Sequence, residues 1–248
     1  MDVQMSRRIS RIIGWKILWS VGFWFSINTL ALCILMVVNF GANAKLKTLW
    51  WWNDAFAVSV NLLTGGVISF LFYFLVVVIP ERRKKSIIKS NLRSLYRDLK
   101  EDILLQVVFA SIRGGRTDLT TNMDDLDNLM DIENFKAAFA HGRESDEGFY
   151  AFENQMNNET SEFRAIVLNL KMLSKQIEFV LHNYAIDDQK AFDFFKRLEL
   201  LLMRIQDTGP GYDESKPLCR FVWQMFTGFS WAEGYRGYDP IESMIENI

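Results

Sequence analysis

Two long charge-free runs constrain this chain more than any other feature. Residues 17–40 and 55–79 contain no Asp, Glu, Lys or Arg. As helices, runs of this length extend roughly 35 Å, enough to cross the hydrocarbon core of a bilayer, about 30 Å thick. In lipid the backbone is satisfied only within helices or closed barrels, and neither run alternates as a barrel strand does. The expected fold class is therefore an all-α membrane protein. It comprises a two-helix transmembrane hairpin over residues 17–79, with spans near 17–40 and 55–79, and a cytoplasmic helical bundle.

Charge divides the chain in the same way. Residues 1–100 carry 14 Lys and Arg against four acids, a net of +10, and residues 101–248 carry 14 against 26, a net of −12. A basic half beside the bilayer is attracted to anionic headgroups. The acidic half repels polyanions, so no direct nucleic-acid ligand is expected. The two cysteines, Cys33 and Cys219, are too far apart in sequence role to suggest a disulfide framework, which fits a reducing compartment.

Residues 1–16 form a basic start with Arg7, Arg8, Arg11 and Lys16. Positive residues flanking a span stay inside, so a cytoplasmic N-terminus is expected. Ala42-Asn43-Ala44 resembles a signal-peptidase box, but the preceding run is too long for a signal peptide and a second span follows. In the short far loop, Trp50, Trp51 and Trp52 are amphipathic rings suited to headgroup depth and are expected to act as an interfacial anchor. A small outward-facing receptor surface is the other reading.

Small and polar residues recur at helical spacing in both spans: Gly22, Ser26, Thr29 and Cys33, then Ala57, Asn61, Gly65 and Ser69. Such stripes let helices approach closely in lipid. They are expected to face each other within the hairpin, or else to pack between subunits with Asn28, Asn61 and Thr64 lining a polar seam. No Asp, Glu, His, Lys or Arg lies inside either span, which argues against a proton relay or a charged filter. After Pro80, the run Glu81-Arg82-Arg83-Lys84-Lys85 places the second exit on the cytoplasmic side as well, with an anionic-lipid site as the alternative use of Arg82, Arg83, Lys84 and Lys85.

Residues 80–113 read as a basic exit and stalk helix ended by Gly114-Gly115, with Ile88, Leu92, Leu95 and Leu99 on one face. Residues 114–248 read as an acidic helical domain with an aromatic tail. Asp124, Asp125, Asp127 and Asp131 invite a calcium-loop reading, but the required glycine is missing and the register does not fit. A short helix is expected over 131–140, and another from Ser145 to about Asn157. His141 and His182 lack ligand-like neighbours and are expected to play surface or capping roles.

The strongest repeat is Phe163, Ile166, Leu170, Leu173, Ile177, Val180 and Tyr184, stepping three and four residues in turn. Asp187-Asp188 then caps a helix carrying Phe192, Phe195, Leu198, Leu202 and Ile205. The short joint predicts an antiparallel pair, either within one subunit or between two. Beyond Gly209-Pro210-Gly211 the chain becomes aromatic, and Asp239-Pro240 opens a last helix. Trp223, Phe229, Trp231, Tyr235 and Tyr238 either dock onto the bundle or form a partner-contact patch for a peptide, nucleotide or protein.

No nucleophile–base pair, phosphate loop or metal-hydrolase signature is present, so no catalytic residue, cofactor or metal ligand is assigned and no enzyme activity is expected. The layout resembles two-span effectors of bacterial antiphage defence systems, including retron-associated ones. A basic start, two spans joined by a short turn, a basic exit and a helical cytoplasmic domain carry the resemblance. It rests on architecture alone, so no residue role is carried over. It implies an inner-membrane protein with both termini cytoplasmic, held silent by a cytoplasmic partner or awaiting a signal, that perturbs the host membrane on infection. Two other readings stand beside it: a passive anchor recruiting a cytosolic protein, and a small channel or transporter subunit. The expected partners are the bilayer and a cytoplasmic protein or further copies of the chain.

Overall fold

The structure, a computed structural model, describes residues 21–41 and 51–248, except 141, 143, 185, 187 and 231–233. The described chain is all-α apart from one two-residue hairpin, and it divides into two compact units, Met1–Lys84 and Lys85–Ile248.

In the first unit, helices α1 (Val21–Gly41) and α2 (Trp52–Tyr73) pack together. Both are long and apolar enough to cross a membrane. Large side chains such as Leu62 (76 % exposed) and Phe72 (63 % exposed) form an apolar surface that water would not tolerate and a bilayer would cover. After α2, the five residues Phe74–Val78 form a π-helical turn, and α3 (Ile79–Arg113) follows without a break. Pro80 explains the turn. Proline lacks an N–H, and its ring collides with the carbonyl four residues back, here Val76. Widening the helix relieves that collision, and the Ile79 N–H accordingly donates to the Phe74 carbonyl, five residues back.

The stretch expected as a stalk is instead the central helix of the second unit. From Ile88 onward α3 buries Leu92, Tyr96, Leu99, Ile103, Leu104, Val107 and Val108 in the core. It ends as its two glycines predict. Gly115 takes a positive φ of 111°, the Gly115 N–H donates to the Ile112 carbonyl, and the Arg116 N–H donates to that of Ser111. Arg116 does more than follow a helix stop. Its buried guanidinium donates to both Asp118 carboxylate oxygens and to the carbonyls of Ala138 and Gly148, and it lies over the Phe139 ring. The same contact holds the Asp118 carboxyl below the ordinary range.

Short helices α4 (Met123–Leu129), α5 (Ile132–Phe139) and α6 (Tyr150–Gln155) follow. The Asp131 carboxylate caps α5, accepting from the Glu133 and Asn134 N–H groups. The helix expected from Ser145 begins later, at Tyr150, after a turn through Gly148 at φ 50°.

Helices α7 (Ser161–Asn183) and α8 (Gln189–Gln206) are the amphipathic pair, capped by Thr160 and Asp188. Every expected seam residue of α7 from Phe163 to Val180 is buried. On α8 the pattern differs at one position: Ala191 is buried and Phe192 is exposed. The pair is part of one core rather than a free seam. Glu162 accepts from Arg113 at 2.9 Å, and Asn169 donates to Asp102 at 2.5 Å, tying α7 to α3. Helix α9 (Lys216–Phe226), strands β1 (Phe229–Ser230) and β2 (Gly234–Tyr235), and α10 (Pro240–Ile245) complete the unit.

Candidate functional site

The contact between α1 and α2 does not use the expected stripes. The half-buried positions of α1 include Phe25, Asn28, Leu32, Leu35 and Asn39, stepping three and four, with Thr29 beside them. Those of α2 include Phe56, Ser59, Val60, Leu63, Gly66, Val67 and Phe70. Phe25 and Phe70 meet edge to face at 5.8 Å, and a methyl group at Gly66 would collide with the Asn28 amide. Gly66, rather than Gly65, is thus the glycine that sits at this contact, making room for the Asn28 amide.

The expected residues mostly point elsewhere. Gly22, Ser26 and Cys33 on α1, and Ala57, Asn61, Thr64, Gly65 and Ser69 on α2, are exposed, and nothing lies within 4 Å of the Cβ position of Gly65. The hydroxyls are satisfied locally: Ser26 donates to the Gly22 carbonyl at 2.8 Å, Thr29 to Phe25 at 2.9 Å and Ser69 to Gly65 at 2.8 Å. The reading that the two stripes face each other is therefore corrected. The α2 stripe steps by four throughout, about 400° each time, and so drifts about 40° per step from a fixed contact line. Ser26 and Cys33 of the α1 stripe lie one residue, about 100°, round from Phe25 and Leu32. What remains is a small and polar face on the outside of each helix, with Asn61 in the second charge-free run.

Trp51 is 46 % exposed and meets the half-buried Trp52 edge to face at 6.3 Å at the start of α2. Arg82, Arg83 and Lys84 are exposed on the first turn of α3, with the half-buried Lys85 beside them. Arg7, Arg8, Arg11, Trp50, Trp231, His141 and Asp187 lie outside the described residues.

In the second unit the aromatic tail docks onto the bundle. Phe135 stacks on Phe226 at 4.9 Å, and Trp223 packs against Phe149 at 5.1 Å and Phe135 at 5.9 Å. The Trp223 N–H donates to the Tyr235 hydroxyl, and Phe229 meets Tyr235 edge to face. Gly228 permits the reversal. Its φ is 66°, and a Cβ there would lie 2.8 Å from the Tyr238 carbonyl. Of the expected partner residues, Tyr235 and Tyr238 remain substantially exposed, while Trp223 and Phe229 are half-buried.

Residues that sequence reasoning missed lie between α6 and α9. Tyr150 and Glu153, one turn apart on α6, face Lys216, Arg220 and Trp223, which share one side of α9. Two adjoining clefts of about 340 and 540 Å3 flank Glu153 and Arg220. Burial pushes the Glu153 carboxyl above its ordinary range, partly offset by Lys216. Burial also raises the neighbouring Cys219 thiol, keeping it protonated. The spacing of Lys216, Arg220 and Trp223 was visible in the sequence, but their facing partners 60 or more residues earlier were not. Among the described residues, no group of three His, Cys, Asp or Glu is placed to hold a metal ion.

Compared with known proteins, the chain matches no family model, no curated protein and no solved structure.

Proposed function

We propose that this chain is a two-span membrane effector in which the helical unit receives a signal and the hairpin acts on the bilayer. The observation that carries the reading is the single helical path Trp52–Arg113, which runs through the second span, the π turn and the basic exit into the bundle core. A rearrangement of the core around Leu92–Val108 would then reach α2 along this path. A passive anchor has no need of such a path. A trigger shifts this equilibrium only if it binds one arrangement better than the other.

The outward face of α2 supports the same reading. Asn61, Thr64, Gly65 and Ser69 suit association of copies in lipid, where close packing and amide hydrogen bonds replace the hydrophobic drive. The proposed setting is a bacterial inner membrane, with both chain ends cytoplasmic because the exit run Arg82–Lys85 and the basic start flank the spans. The proposed role is abortive-infection defence, in which an infected cell loses its membrane potential. The alternative, a scaffold that only recruits a cytosolic protein, is favoured by the exposed Tyr235 and Tyr238.

Expression of the full chain in bacterial cells without its silencing partner is expected to depolarise them, as read by a potential-sensitive dye. Asn61→Leu is expected to weaken the effect several-fold at equal membrane abundance. Normal potential and growth at full expression would sink the proposal. If the effect were absent and an unrelated hairpin preserved partner recruitment, the scaffold reading would take its place.

A further inference from the structure

The geometry points to a guanine-nucleotide site in the paired clefts between α6 and α9, with Glu153 reading the base and Arg220 holding the phosphate. As the signal input it rests on the proposed function, but binding is measured independently of it.

The clefts have volumes of about 340 and 540 Å3, within the range of roughly 300–1,000 Å3 usual for small-molecule sites. Tyr150, Glu153 and Arg220 line both. Trp223 walls the smaller one, and Tyr212 and Lys216 wall the larger. Neither the Glu153 carboxylate nor the Arg220 guanidinium forms a hydrogen bond or ion pair with any described residue. A half-buried carboxylate and an exposed guanidinium that line the same clefts, neither engaged in a hydrogen bond, together suit a ligand that presents N–H donors to one and an anion to the other.

The donors select the base. An ionised carboxylate only accepts, so it pairs best with two adjacent N–H groups. Guanine offers N1–H beside its N2 amino group. Adenine and cytosine set an acceptor nitrogen next to their amino group, which a carboxylate repels. Tyr150 and Trp223 supply aromatic surface for the planar ring, and stacking of this kind contributes about 1–3 kcal/mol. Arg220 then engages the phosphate as a fork. Lys216, 2.7 Å from the Asp213 carboxylate and 4.0 Å over the Tyr212 ring, is held in the wall of the larger cleft. The acidity of this unit, which repels polyanions, is a smaller obstacle to a single nucleotide than to a nucleic acid.

Calorimetric titration of the full chain in detergent micelles with GMP, AMP, guanosine and inorganic phosphate tests the site. GMP is expected to bind roughly tenfold more tightly than AMP, and more tightly than guanosine or phosphate alone. Arg220→Ala should weaken GMP by roughly tenfold while leaving guanosine unchanged, since Arg220 is exposed and the substitution leaves the core intact. Glu153→Gln should bring GMP and AMP to equal affinity. The assignment is overturned if no guanine compound binds, if phosphate alone binds as tightly as GMP, or if Arg220→Ala leaves GMP binding unchanged. GMP binding without depolarisation would contradict the effector reading alone, and depolarisation without GMP binding would contradict this site alone.

Discussion

Asp239→Ala is expected to cost the helical unit about 3–5 kcal/mol, the range for breaking a buried ion pair. Asp239 sits under several donors at once. Its carboxylate accepts from Lys100 Nζ at 2.7 Å, from the Tyr96 hydroxyl at 2.6 Å, and from the backbone N–H groups of Ile241 and Glu242. Lys100 and Asp239 are both buried, so alanine leaves an ammonium group without a counter-charge in the core. It also removes the N-cap of α10, whose Ile241 and Ile245 complete the core and just beyond which Glu246 pairs with Lys89 and Arg93. Burial and the Asp239 charge together push the Tyr96 phenol well above its ordinary range, so it remains a donor.

Lys100→Met should cost less, because Asp239 keeps its three other donors and the methionine fills similar space. Thermal unfolding in detergent reads the difference. Asp239→Ala is expected to melt roughly 10 °C below the parent protein, with Lys100→Met between the two. Equal melting of Asp239→Ala and the parent would show that this cluster does not hold α10 in place.

The second large effect concerns helical phase. Deleting Ser86, in the α-helical stretch between the π turn and Ile88, the first buried residue, turns the core-facing residues about 100° relative to α2. Inserting seven residues after Lys85 changes the phase by only about 20°. If the bundle steers the hairpin through this helix, the deletion should abolish most of the depolarisation and the heptad insertion should preserve it. Immunoblots of washed membranes control for abundance. Equal activity in both variants would mean that the phase of the helix carries no information.

Much of this architecture was legible in local patterns. The two spans, the Gly114-Gly115 stop, the caps at Asp188 and Asp239 and the α7 seam all depend on residues within a turn or two of each other, where chain geometry decides the outcome. The hairpin contact was not legible. A stripe with a strict spacing of four looks like a contact face, but two packed helices follow alternating steps of three and four, which selects Gly66 over Gly65. Lys100–Asp239, Arg116–Gly148 and the Glu153–Arg220 cleft join residues 32 to 139 positions apart. No local period encodes such pairings; they arise only when the core closes. The residues read as a stalk had the right helical pattern, but the pattern alone could not say that the bundle folds around them.

In the proposed effector, the continuous helix Trp52–Arg113 couples the bundle to the hairpin. Membrane potential, measured in cells expressing the full chain with or without a flexible Gly-Ser insertion after Lys85, tests it most directly. The account predicts depolarised cells with the intact helix and normal potential with the interrupted one, at equal membrane abundance. Identical potentials in the two would contradict it.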